Sequence, residues 1–139
     1  MKRILLILSL FFVTAQAVQA QEEDGDDRIR DKMREYIQLR LKLNKDEADR
    51  FAPIFIRYFR EWRNTLKENR SDRLILQQKV VELRLRYRTE FKEIIGERRS
   101  NEVYKQQDIF IHELKTLKQE RMQNRQGGGG LRRNKLMAD

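Results

Sequence analysis

The sequence predicts an all-α fold, and three observations lead there. Between Asp27 and Gln126 the chain holds one proline, Pro53, and one glycine, Gly96. Across that span apolar residues recur at intervals of three and four, the spacing that stacks side chains on one helix face. No stretch alternates apolar and polar residues long enough to make a half-buried strand. Cysteine is absent, so a small domain of this kind gains nothing from disulfides and is expected to rest on helix packing, helped by a second copy.

The first segment, residues 1–20, opens with Lys2 and Arg3, continues apolar from Ile4 to Val13, and ends on the small residues Ala15, Ala17 and Ala20. That order is the grammar of a secretory signal peptide, with cleavage expected before Gln21 and an exported product. At about 1.5 Å per residue the apolar run covers only about half of a bilayer core of roughly 30 Å, so stable membrane insertion is not expected. Residues 21–27 are acidic and contain Gly25, which reads as a flexible leader ahead of a helical domain over residues 28–126.

The first helix, about Asp27 to Lys42, sets Ile29, Met33, Tyr36 and Ile37 on one face. The second begins at a defined signal. Asn44 is placed as N-cap with Glu47 three residues on, and Leu43 and Ala48 stand at the positions of a hydrophobic staple. It runs to about Asn69 with Phe51, Phe55, Tyr58, Trp62 and Leu66 in one row, and Pro53 predicts a bend near its second turn. The third helix, about Asp72 to Ile95, carries Leu76, Val80, Leu83, Tyr87, Phe91 and Ile94 on its main face. A second stripe, Leu74, Val81 and Leu85, falls roughly 140–180° from Leu76, where one neighbouring helix cannot cover it. Gly96 suits a helix end. A fourth helix to about Gln126 aligns Val103, Gln107, Phe110, Leu114 and Leu117, and the glycine run Gly127 to Gly130 then predicts a disordered basic tail over residues 127–139.

The formal charge is +9. Export removes nucleic acid from the reach of such a chain, leaving anionic surfaces and acidic protein segments as partners. Catalysis finds no footing: there is no cysteine, the serines beyond residue 20, Ser71 and Ser100, stand near helix starts, and the sole histidine, His112, is expected on a solvent face. One imidazole with scattered carboxylates is a poor metal site, and no cofactor is expected.

Leu43-Asn44-Lys45-Asp46-Glu47 and Ile95-Gly96-Glu97-Arg98-Arg99 lie 52 residues apart, each ahead of a long amphipathic helix. At that offset Phe51 meets Val103, Tyr58 meets Phe110 and Trp62 meets Leu114, a hint of a repeated helical layout. In these places the sequence resembles the Spy/CpxP-like envelope proteins, whose mark is a twice-occurring Leu-Thr-x-x-Gln at helix starts. Here Leu43, Asn44 and Glu47, then Ile95, Gly96 and Arg99, stand at the motif positions. Asn44 and Gly96 replace Thr, and Glu47 and Arg99 replace Gln. The segment Leu43 to Tyr58 looks more like the branch described as sigma-factor-linked or heavy-metal sensors. The resemblance implies a long, bent hairpin of about four helices that pairs as an antiparallel homodimer and holds non-native proteins without ATP. Some relatives instead report stress or metal to an envelope signalling system.

Within that frame Phe51, Phe55 and Trp62 read as core. Ile54 and Phe59, at the flanks of their row, are expected to be partly exposed and to touch client proteins. Arg60, Arg63, Lys67 and Arg70 repeat at three and four as a basic ridge that would steer acidic, partly unfolded clients. Leu74, Val81 and Leu85 read as a dimer contact, since exposed apolar stripes mark interfaces.

Overall fold

A computed structural model of the protein describes residues 24–135, with side chains described as far as Gln126. The proposed signal peptide lies outside the described residues. Three helices make up the fold: α1 over residues 24–40, α2 over Lys45–Glu68 and α3 over Arg73–Lys135, with no strand among the described residues.

Each boundary has a local cause. At the end of α1 the Leu43 amide donates to the Gln38 carbonyl at 3.0 Å and the Lys42 amide to that of Leu39 at 3.1 Å. This is the Schellman arrangement, and it holds Lys42 at φ +53, the left-handed position that glycine usually fills. Asn44 and Glu47 then form the expected capping box: the Glu47 amide donates to Asn44 Oδ1 at 2.8 Å and the Asn44 amide to Glu47 Oε2 at 3.1 Å. Pro53 is accommodated without ending α2. Asn69 closes α2 by donating to the Thr65 carbonyl, and Asp72 Oδ1 caps α3 by accepting from the Leu74 and Ile75 amides.

Gly96 is the one non-helical residue inside α3, at φ 80 and ψ 166. Arg84 Nη2 nevertheless lies 2.6 Å from Asp108 Oδ1, twenty-four residues on. A straight helix would separate those residues by about 36 Å. The two arms of α3, residues 73–95 and 97–135, therefore double back on each other at Gly96. The expected third and fourth helices correspond to these two arms, which are joined through the reversal at Gly96.

Pairings between elements set the directions. Asp26 meets Arg63 and Gln38 meets Ala48, so α1 and α2 are antiparallel. Arg57 meets Glu90 and Glu61 meets Arg86, so α2 and the first arm are antiparallel too. Glu47 meets Arg99 and Tyr58 meets Gln107, so α2 and the second arm run parallel. The 52-residue echo thus places its two copies side by side, and Glu47 and Arg99 bond to one another.

The core draws Met33 and Ile37 from α1, Phe51, Phe55 and Tyr58 from α2, Tyr87 and Phe91 from the first arm and Val103 from the second. Aromatic rings dominate it: Phe91 lies 5.0 Å from Phe51, and Tyr58 5.4 Å from Tyr87, centroid to centroid. Burial of each large apolar side chain contributes about 1.5–3 kcal/mol before chain entropy is set against it.

Two segments depart from expectation. Residues 24–27, read as a flexible leader, are helical, with Arg28 bonded to Asp24 at 3.1 Å and Arg63 to Asp26 at 2.6 Å. At the other end α3 continues through Gly127–Gly130 to Lys135, although each glycine costs about 1 kcal/mol relative to alanine. Every side chain from Lys115 to Gln126, just ahead of that run, is exposed.

Candidate functional site

The basic ridge falls on the side of α2 that faces α1. Arg60, Arg63 and Lys67, with Phe59 and Ile56 beneath them, line a groove of about 270 Å³ whose other wall is Asp26, Asp27 and Arg30. Arg63 donates to both Asp26 oxygens, at 3.0 and 2.6 Å, which fixes α1 against α2 and withdraws this guanidinium from free recognition. Arg60 and Lys67 are exposed and carry no ion pair among the described residues. Arg70 is exposed in the turn after α2, outside the groove, and Ile54 is half-buried against the core.

Phe59 corrects the sequence reading. It was expected at an exposed flank and is only 4% exposed, with its ring 5.6 Å from Trp62 and 6.4 Å from Phe55. A single apolar face was assigned to this helix, whereas α1 and α3 pack on it from two sides and widen the buried sector. The acidic wall was missed. Its signal lay in Asp24 and Arg28, and Asp27 and Arg30, charge pairs at helical spacing that argued for an earlier helix start.

On the first arm of α3 the second apolar stripe stands in solvent. Leu74 is 76% exposed, Val81 54% and Leu85 49%, with Ile75 at 42% beside them. The spacing of seven and four keeps Leu74, Val81 and Leu85 in one line along the arm, and exposed Gln78 and Arg88 share that line.

Between these surfaces a polar knot ties the interior. Tyr58 OH donates to Gln107 Oε1 at 2.6 Å, both residues fully buried. Burial pushes the Tyr58 hydroxyl up to about 12, which keeps it a neutral donor. Arg84 grips Asp108 with two nitrogens, stands over the Tyr104 ring at 5.3 Å, and accepts at its own carbonyl a 2.7 Å bond from Tyr104 OH. The two arms are thereby stitched together around buried polar groups, and Gln107 Nε2 and Arg84 Nε remain unpartnered.

The helix-start residues also cooperate. Glu47 caps α2 and accepts from two nitrogens of Arg99, which in turn donates to the Ile95 carbonyl at 2.9 Å. The Arg99 guanidinium, and then the Asn44 backbone amide, hold the Glu47 carboxyl below its usual range. Ile95 is buried beneath this pair and Leu43 packs at the core edge. The positions singled out by the motif thus close one end of the bundle.

Among the described residues no group of three or more His, Asp or Glu side chains is placed to hold a metal ion. His112 is exposed. No helix among them is long and apolar enough to cross a membrane. The chain offers surfaces: a basic groove, an exposed apolar line, and charged helix faces. No family model, no curated protein and no solved structure matches the chain.

Proposed function

We propose that this protein is a periplasmic, ATP-independent chaperone or envelope stress adaptor that binds non-native proteins and works as a homodimer. The observation that carries the reading is the exposed apolar line Leu74, Val81 and Leu85 on a bundle whose interior is otherwise well packed. A small helical domain that keeps leucines in water at this density uses them for contact. The basic side chains Arg60 and Lys67 at the groove, with Arg70 and Arg88, supply long-range attraction for acidic, partly unfolded chains. Apolar contact then holds what charge has gathered. The line on the first arm serves self-association, and the groove side serves clients. Export rests on the order of residues 1–20, and the likeness to Spy/CpxP-like proteins rests on the helix-start residues.

Suppression of the aggregation of several unrelated unfolded proteins, at near-stoichiometric ratio and without ATP, is the expected result. No effect on any of them, together with tight binding to one envelope protein, would assign the chain to signalling instead. The segment Leu43 to Tyr58, with its likeness to envelope sensors, favours that second reading. A species that sediments as a monomer at micromolar concentration would remove the dimer from the proposal.

A further inference from the structure

The second arm of α3 reaches past the rest of the bundle. Tyr58 meets Gln107 where α2 and this arm run parallel, so Glu68, the last residue of α2, stands level with about Leu117. Asp26 of α1 meets Arg63, short of that level, and the first arm starts at Arg73, just across the turn that follows Glu68. From about Leu117 to Gln126 the second arm therefore stands beyond every other helix among the described residues, and all its side chains there are exposed.

That overhang is sorted by chemistry. At about 100° per residue, Lys115, Leu117, Lys118, Arg121, Met122 and Arg125 fall within one sector about 160° wide. Thr116, Gln119, Glu120, Gln123, Asn124 and Gln126 fill the opposite one. Every cation and every apolar residue of the stretch is thus on one face, and its only carboxylate is on the other. The face also points to a fixed side. Val103 and Gln107, both fully buried, lie in the same sector of the same arm, and Gly96 is the one break in α3, so the overhanging face looks across the end of its own bundle. Leu117 and Met122 are 52% and 65% exposed on it, and its cations carry no ion pair among the described residues.

We propose that this face binds an acidic amphipathic helix of another protein. Four cations with no carboxylate among them call for a negative partner, and Leu117 and Met122 call for one that is also apolar. Shape decides between a membrane and a protein. A bilayer is flat and does not reach a face turned toward the end of the bundle, whereas a helix about 10 Å across fits that corner. Phe110, Leu114 and Leu117 carry the row of Val103 and Gln107 out of the bundle at spacings of three and four, so a partner helix takes, above Glu68, the place that α2 holds below it. This surface is distinct from the groove and from the apolar line of the first arm, and it does not depend on the chaperone reading.

The test titrates the purified chain into a labelled synthetic helix with leucines on one face and glutamates flanking them, followed by fluorescence anisotropy. A counterpart with lysine for glutamate is the control. Saturable binding of the glutamate peptide, about tenfold or more tighter than the lysine peptide, is expected, with amide exchange slowed from Lys118 to Gln126. Two double variants change the net charge equally: Lys118→Gln with Arg121→Gln on the face, and Gln119→Glu with Gln123→Glu opposite it. The first is expected to weaken binding about tenfold and the second by no more than about twofold. All four side chains are exposed, so an unchanged melting temperature in both variants separates lost binding from lost fold. Equal loss in the two variants, or equal binding of the two peptides, would overturn the proposal. Co-sedimentation with phosphatidylglycerol vesicles that only the face variant loses, with no binding of the glutamate peptide, would overturn it in favour of a bilayer. Self-association that only the face variant abolishes would overturn it in favour of a second copy. Peptide binding without suppression of aggregation upholds this surface and removes the chaperone reading.

Discussion

Lys42 occupies a backbone state that most side chains avoid, and its neighbour across the turn, Glu47, carries a pair of bonds that only folding supplies. Left-handed geometry costs an ordinary residue about 1–2 kcal/mol, part of which glycine returns through its larger unfolded entropy. Lys42→Gly is therefore expected to stabilise the protein by about 0.5–1 kcal/mol, read as a rise of a few degrees in melting temperature. Glu47 makes the opposite kind of case. Its folded carboxyl titrates below the unfolded value of about 4.3. The stability it contributes is present above that unfolded value and is lost as pH falls through it toward the folded one. Glu47→Gln should lower the denaturation midpoint at neutral pH, and the gap to the parent protein should close below about pH 4. A gap that persists unchanged into acid would show that ionisation is not what Glu47 contributes. The capping pair Asn44 and Glu47 was legible because both partners sit in one turn. The bond from Glu47 to Arg99 was visible only as a spacing, since nothing in one strip of sequence says which residues a fold-back brings together.

Among the elements, α2 was the most legible: its start, its apolar row and its end near Asn69 follow from local signals. Phe59 was misjudged on the same helix, because the width of a buried sector is decided by how many neighbours pack on it. In α3 the break at Gly96 was legible from the glycine itself, whereas the direction of the reversal was not. From Lys115 to Gln126 every side chain of α3 is exposed, and isolated helices are marginal in water. Amides beyond Leu117 should therefore exchange with solvent within a small factor of the unstructured rate, while those of Tyr58, Phe91 and Val103 exchange only through global opening. Removal of residues 127–139 should leave the melting temperature unchanged within about one degree. Strong protection in the distal stretch would mean that a partner covers it in solution. The basic groove was half legible: its α2 side followed from spacing, and its acidic wall was hidden in residues taken for a leader.

For the molecule as a whole, everything turns on one residue. The arms of α3 are antiparallel only because Gly96 adopts φ 80 and ψ 166, a region almost confined to glycine. A side chain at that position would meet no atom within 4 Å, so the cost of Gly96→Ala is backbone strain alone, about 1–3 kcal/mol. Return of those two torsions to helical values would turn the 63 residues of α3 into a rod about 95 Å long. The bond between Arg84 and Asp108, the Tyr104 hydroxyl on the Arg84 carbonyl and the contacts of the Tyr104 ring with Tyr58 and Phe91 would then be out of reach within one chain, yet intact between two. Such a pair would exchange second arms and rebuild each core from both copies. Gly96→Ala penalises the folded-back form and leaves the rod unstrained, so the variant should shift from the folded-back bundle toward an arm-exchanged pair as concentration rises. Light scattering, with a disulfide placed across the Arg84 and Asp108 positions, would report whether the link forms within or between chains. One sequence then has two closed ways to bury the same core, selected by a pair of torsion angles and by concentration.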